Sequence, residues 1–336
     1  MKALRLHAAG DVRVHDEDEP TAAEGRTLVR ITAVGICGSD LHWFEDGNIG
    51  DAGLTRPLVP GHETAGVAVD GPYAGQVVAV DPAIPCGHCE MCEEGHRNLC
   101  PTVQFSGHST LDGSMQQLIS WPTHLLHPLP EGFTAADGAV LEPLGVALHA
   151  WDLAHVPVGA TVAVVGCGPI GLLLVQLALA SGAARVIAVE PLAHRRDMAT
   201  QYGAEVVLTP DEAREASTWE RLTGLGAHVV FEVAGNDDAV TTSCLACRPG
   251  GRVMLVGIPS DDHIGFTAGP ARRKGIDLRL VRRMKEMYPR TIELVRSGKI
   301  DVRSMVTQTV GLDEAASAFA DASARKGLKV VIDPSK

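Results

Sequence analysis

VAVVGCGPIGLLLVQLALASG, residues 162–182, reads as a strand, a tight turn and a helix in immediate succession. The opening residues are valine-rich, as a buried strand requires. Gly166, Gly168 and Gly171 then complete G-x-G-x-x-G. Pro169 falls in the first helical turn, where its missing N–H does no harm, and Gly182 is a fitting stop. Glycines so placed let the backbone approach a pyrophosphate, whose charge the helix N-terminus attracts. A bare glycine pattern is a weak signal, so its surroundings decide its meaning. A second strand-like run, RVIAVE (185–190), ends in Glu190, 19 residues after Gly171. A ribose-binding acid belongs about 20 residues on. An acid there repels a 2′-phosphate and favours NAD over NADP. Arg195 and Arg196 argue the other way, since a nearby arginine accepts that phosphate.

Outward from this unit the alternation continues. AEVVL (204–208), HVVFEVAG (228–235), GRVMLVGI (251–258) and IDLRLV (276–281) read as strands, with helical stretches such as DDAVTTSCLACRPG (237–250) between them. Strands alternating with helices predict a doubly wound parallel sheet of the Rossmann kind. Cys244 and Cys247, within that helical stretch, read as small buried residues rather than a redox pair.

The chain has 336 residues, about two domains' worth, and a net charge of −12. That sign argues against a nucleic-acid face. No basic cluster adjoins an apolar segment, and IGLLLVQLALA (170–180) is too short to span a bilayer. The expectation is a soluble, cytoplasmic protein with no nucleic-acid or membrane partner. The run DEDE (16–19) reads as a solvated loop.

In PCGHCEMCEEGHRNLC (85–100), Cys86, Cys89, Cys92 and Cys100 lie within fifteen positions. In a reducing compartment such clustering means metal rather than disulfides. Four thiolates saturate tetrahedral zinc, so the site is structural. An iron–sulfur cluster is the competing use of four cysteines. Upstream, Cys37 in GICGSDLHWFEDGNIGD (35–51) and His62 and Glu63 in PGHETAG (60–66) offer three unlike donors. Three protein ligands plus an open position is the catalytic zinc pattern.

The order of these signals, Cys37, then His-Glu, then the four-cysteine loop, then the glycine turn, resembles the zinc-dependent medium-chain dehydrogenases of the alcohol dehydrogenase superfamily. The likeness covers essentially the whole chain. The segment around Cys37, with its trailing Gly-x-Ile-Gly-Asp, and LEPLGVALHA (141–150) are most similar to the sorbitol (L-iditol) and polyol dehydrogenases. The resemblance implies a β-rich, GroES-like catalytic domain over residues 1–144 and 284–336, with the Rossmann domain inserted at 145–283. It implies a catalytic zinc on Cys37, His62 and Glu63, with Glu142 at its edge, and a structural zinc on the four-cysteine loop. Ser39 and His42 match the proton-relay positions. Ile170, Glu190 and Arg195 match the adenosine and ribose pocket, and Arg283 matches a substrate-binding arginine. Apart from the resemblance, the aromatics Trp43, Phe44 and Phe105 read as walls of the substrate cleft, with a hydrophobic hinge as the alternative reading. The implied reaction is hydride transfer from a secondary alcohol of a polyol to NAD, in a homodimer or homotetramer. Threonine dehydrogenases share most of these motifs. A cyclitol or amino-sugar alcohol is a further possible substrate, since Met284 stands where relatives often carry an aromatic residue. A zinc-stabilised binding protein without catalysis is the reading of another class.

Overall fold

Six parallel strands make the sheet that the alternation predicts. In spatial order they are Val206–Leu208, Arg185–Val189, Thr161–Val165, Ala227–Glu232, Cys247–Leu255 and Asp277–Leu280. Counted along the chain this is third, second, first, fourth, fifth, sixth. The order reverses beside Thr161–Val165, the strand that feeds the glycine turn, and ligands of doubly wound sheets bind at such a reversal. The helix after the turn, Pro169–Ala180, buries eight of its residues from Gly171 to Ala178. A helix apolar on nearly every side is a core helix.

The computed structural model describes residues 1–108, 111–260 and 262–336. The chain divides into two units: Met1–Pro143 with Lys285–Ser297 and Asp301–Lys336, and Leu144–Met284 with Gly298–Ile300. Gly298–Ile300 join the second unit although no sequence signal separates them from their neighbours.

The first unit is built on a seven-stranded sheet. Its main path runs Leu126–Pro128, Val77–Val80, Glu63–Ala68, Arg26–Gly35, Lys329–Asp333, Val306–Gly311, and Leu118–Pro122 also pairs with Arg26–Gly35. Every pairing is antiparallel except that of the last two strands on the path. Val29, Ile31, Val34, Val78, Val80 and Ile332 face one core. The C-terminal strand Lys329–Asp333 thus lies next to Arg26–Gly35, one strand away from the strand that begins at Glu63. Neither the pairing nor the register of that strand is readable from local pattern.

Two expectations change. The helix after Asn236 ends at Ala246, and Cys247 opens the next strand, paired with Ala227. Lys274 stops the helix: its Nζ donates to the carbonyls of Cys244, Leu245 and Cys247 at 2.7–3.1 Å. Both cysteines are buried, as read. The acidic run is not a free loop either. Asp16 ends a strand, and Glu17 receives both Arg5 Nε and an Arg5 terminal nitrogen at 2.5 and 2.8 Å. Among the described residues, no helix is long and apolar enough to cross a membrane.

The glycine turn is sterically closed. A Cβ on Gly171 would lie 2.0 Å from the Gly166 carbonyl oxygen, and one on Gly166 would lie 2.9 Å from the Ala234 nitrogen. Gly166 also has φ +97°, where a side chain is strained. Gly171→Ala is therefore expected to destabilise the protein by about 1–3 kcal/mol, read as a lower urea midpoint, and to weaken dinucleotide binding in titration calorimetry.

Candidate metal and dinucleotide sites

Cys37 is the cap residue ahead of the helix Gly38–Asp46, and His62 and Glu63 stand at the start of the strand Glu63–Ala68. Asp40 ties these two segments together. Its Oδ2 accepts the Cys37 N–H at 2.9 Å and its Oδ1 accepts the Gly61 N–H at 3.1 Å. The same carboxylate lies 3.7 Å from His62 Nδ1, turning Nε2 towards the other donors. Donor atoms of Cys37, His62 and Glu63 all fall within 4.8 Å of one another. That is a span one ion bridges at ~2.0–2.3 Å per ligand.

Charge balance makes the same point. Asp40, Glu63 and Glu142 are each at most 4% exposed, with the His62 ring among them, and Lys329 is the buried cation beside them. Burial raises the Asp40 carboxyl, although His62 opposes the shift. Burial pushes Glu142 up to about 7, with His62 opposing and Glu63 reinforcing it. Burial, then Glu63, pushes the Cys37 thiol up. One Glu63 oxygen, Oε2, is buried without an aligned hydrogen bond, although Lys329 Nζ is 2.6 Å away. A buried carboxylate oxygen left so, beside a thiol that burial discourages from ionising, is chemistry that a divalent cation completes. The donor set fits zinc.

Ser39 Oγ lies 3.4 Å from His62 Nε2, at the ligand face of the ring. His42, one turn along the same helix, has Nδ1 3.5 Å from Asp46 Oδ2 and reaches partial exposure. Glu142 sits in the helix Ala135–Ala154, one residue before its internal Pro143. The Phe105 ring centroid is 5.2 Å from that of His62, so Phe105 walls the site. Trp43 does not: at 1% exposure it packs in a separate cluster with Leu6 and Leu58. The helix carrying it turns that side chain to the interior, so the hydrophobic reading of this position prevails. Arg283 belongs to the second unit and holds a left-handed backbone, φ +49°.

Cys86, Cys89, Cys92 and Cys100 are free thiols with sulfur atoms within 4.8 Å of one another. Two of the separations are 3.5 and 4.0 Å, Cys89 to Cys92 and Cys86 to Cys92. A tetrahedron with ~2.3 Å metal–sulfur bonds has edges of about 3.8 Å. The Cys100 thiol falls to about 6: its burial works the other way but is overcome by hydrogen bonds from the Cys86 N–H and Thr102. His88 is exposed and turned to the Cys86 carbonyl, outside the group of donors. Arg97, within the loop, pairs with the buried Asp81 and pins the cage to the sheet.

In the second unit, Glu190 is 3% exposed and closes on the glycine turn. Its Oε2 accepts the Cys167 N–H at 2.8 Å and its Oε1 accepts the Leu192 N–H at 3.0 Å. Gly166 and Gly168 flank Cys167, and Ile170 and Gly171 follow in the first helical turn. An Arg195 terminal nitrogen comes within 3.9 Å of where a Gly168 Cβ would stand.

Asp40 and Lys329 escaped the sequence reading. Asp40 carries a faint signal, an acid three residues into a helix, which commonly caps the first turn. Lys329 carries only its oddity, a lysine opening the apolar strand KVVID.

Comparison with known proteins agrees with this geometry. The alcohol dehydrogenase GroES-like domain matches residues 23–131, and the zinc-binding dehydrogenase model matches residues 169–297. Sorbitol dehydrogenase of Bacillus subtilis is 33% identical over all of this chain and 98% of its own length. A probable D-xylulose reductase A of Arthroderma otae is 36% identical over 97% of this chain and 95% of its own. The crystal structure of L-idonate 5-dehydrogenase from Escherichia coli superposes with a TM-score of 0.92 at 27% identity, covering 99% of this chain and 97% of the other. With the GroES-like model spanning both donor clusters and similarity running from end to end, this chain belongs to the zinc-binding dehydrogenases of the alcohol dehydrogenase family.

Proposed function

We propose that this protein oxidises a secondary alcohol of a polyol to the ketose, reversibly, with NAD as hydride acceptor and two zinc ions per chain. The observation that carries this reading is the convergence of Cys37, His62 and Glu63 within 4.8 Å, in a chain that aligns end to end with a sorbitol dehydrogenase. Three protein donors leave a position open for substrate, whereas the four-cysteine cage leaves none. When bound at the three-donor site, zinc would supply Lewis-acid polarisation of the alcohol oxygen.

The chain's own residues handle the proton. Ser39 Oγ, at the ligand face of His62, accepts the substrate hydroxyl proton. His42 takes it towards solvent, with Asp46 behind the ring to stabilise the imidazolium. When bound at the glycine turn, NAD would supply the hydride acceptor, so the hydride and the proton would leave the carbinol by separate routes. Phe105 keeps one side of the site apolar. Gly166, Gly168 and Gly171 admit the pyrophosphate, with Ile170 and Arg195 at the adenosine.

The decisive experiment assays sorbitol, xylitol, L-iditol, L-idonate and L-threonine with NAD and NADP, alongside metal analysis. NADH formation with the polyols and two zinc ions per chain support the reading; turnover confined to threonine overturns the substrate class. Two variants sharpen it. Asp40→Ala frees the segments carrying Cys37 and His62, and about 10–100-fold is expected to be lost in activity or in metal affinity at that site. Glu190→Ala removes the acid that opposes a 2′-phosphate, and the NADP-to-NAD ratio of kcat/KM should rise about tenfold or more.

A further inference from the structure

Lys329 is the first residue of the C-terminal strand Lys329–Asp333, yet its side chain is 2% exposed. A lysine is almost never buried without a partner. Here Nζ donates to Glu63 Oε1 at 2.7 Å and to the Ile36 carbonyl at 3.0 Å, and lies 2.6 Å from Glu63 Oε2. It therefore touches one metal donor and the residue preceding another, Cys37. Gly35 makes the approach possible. Its strand pairs on one side with Glu63 and on the other with Val331, two residues along from Lys329. A Cβ on Gly35 would stand 2.1 Å from Glu63 Oε2. The missing side chain leaves the Glu63 carboxylate room at the meeting of the three strands.

This arrangement is more than an ion pair filling a core. Resting on the assignment of Cys37, His62 and Glu63 as zinc ligands, a divalent ion with one thiolate, one carboxylate and a neutral imidazole has no net charge. A neutral centre withdraws little electron density from an alcohol oxygen. We propose that Lys329 is a positioning residue that fixes Glu63 and returns one positive charge to the three-donor site, strengthening its pull on substrate at the expense of its grip on the ion. The two effects have opposite signs because the ammonium repels the cation and attracts electrons from the same carboxylate.

That opposition separates the proposal from a purely structural role. Lys329→Met, Lys329→Gln and Lys329→Arg are prepared in the full zinc-loaded protein, with folding checked by circular dichroism. Zinc release to a chromogenic chelator is followed against Cys37→Ser, which reports the four-cysteine cage alone. Turnover of sorbitol or the best polyol is measured in parallel. For the methionine and glutamine variants, release from the three-donor site is expected to slow about tenfold or more while kcat falls by about tenfold or more. The arginine variant should stay near the parent in both. Glutamine, which keeps hydrogen-bonding capacity, carries the test if methionine prevents folding. Faster release together with lower kcat, or no change in either quantity, overturns the proposal. A parent protein that holds zinc only in the four-cysteine cage overturns the ligand assignment itself, and is recognised before any lysine variant is made.

Discussion

Charge buried in one small region governs the first unit. Asp40, Glu63 and Glu142 crowd together, buried, beside Cys37, with the His62 ring among them and Lys329 as their buried cation. Uncompensated ions in a protein interior cost several kcal/mol each, so this cluster persists only if every charge is paired, protonated or ligated. Asp40 accepts two backbone N–H groups, Glu63 faces the Lys329 ammonium, and burial pushes the Glu142 carboxyl up to about 7. A divalent ion completes what remains.

The surrounding fold serves that balance. The strand Arg26–Gly35 has Glu63 across one edge and the Lys329 strand across the other, and its terminal glycine leaves the carboxylate room. The Cys37 segment and the Gly61–His62 segment are tied by a single carboxylate, so their separation is set before any ion arrives. Preorganisation of this kind is what lets a metal site keep an open position without collapsing around its ion. The cage of four cysteines follows another logic: a glycine-bearing loop folded round its own sulfur atoms and pinned by Arg97 to Asp81.

The second unit rests on a steric rather than an electrostatic constraint. Gly171 is closed by the Gly166 carbonyl and Gly166 by Ala234, so neither tolerates a side chain, and Glu190 ties itself to the same turn through the Cys167 N–H. Glu190 is therefore part of what holds the turn in shape.

Much of this was written locally. The parallel sheet follows from valine-rich runs alternating with helical stretches, the glycine turn from its spacing, and the cage from four cysteines in fifteen positions, because each depends on neighbours in sequence. The three unlike donors were legible only through their order along the chain. Trp43 shows the limit: an aromatic residue beside a donor segment is equally compatible with a site wall and a core, and only packing sends it inward. Asp40 and Lys329 show it more sharply. Lys329 lies 266 positions from Glu63, and what joins them is strand order and register across a sheet, which no local pattern encodes. The sequence by itself determined which donors exist and where the glycine turn falls; the tertiary structure decided which charges face each other, since burial and long-range pairing arise only when distant strands meet.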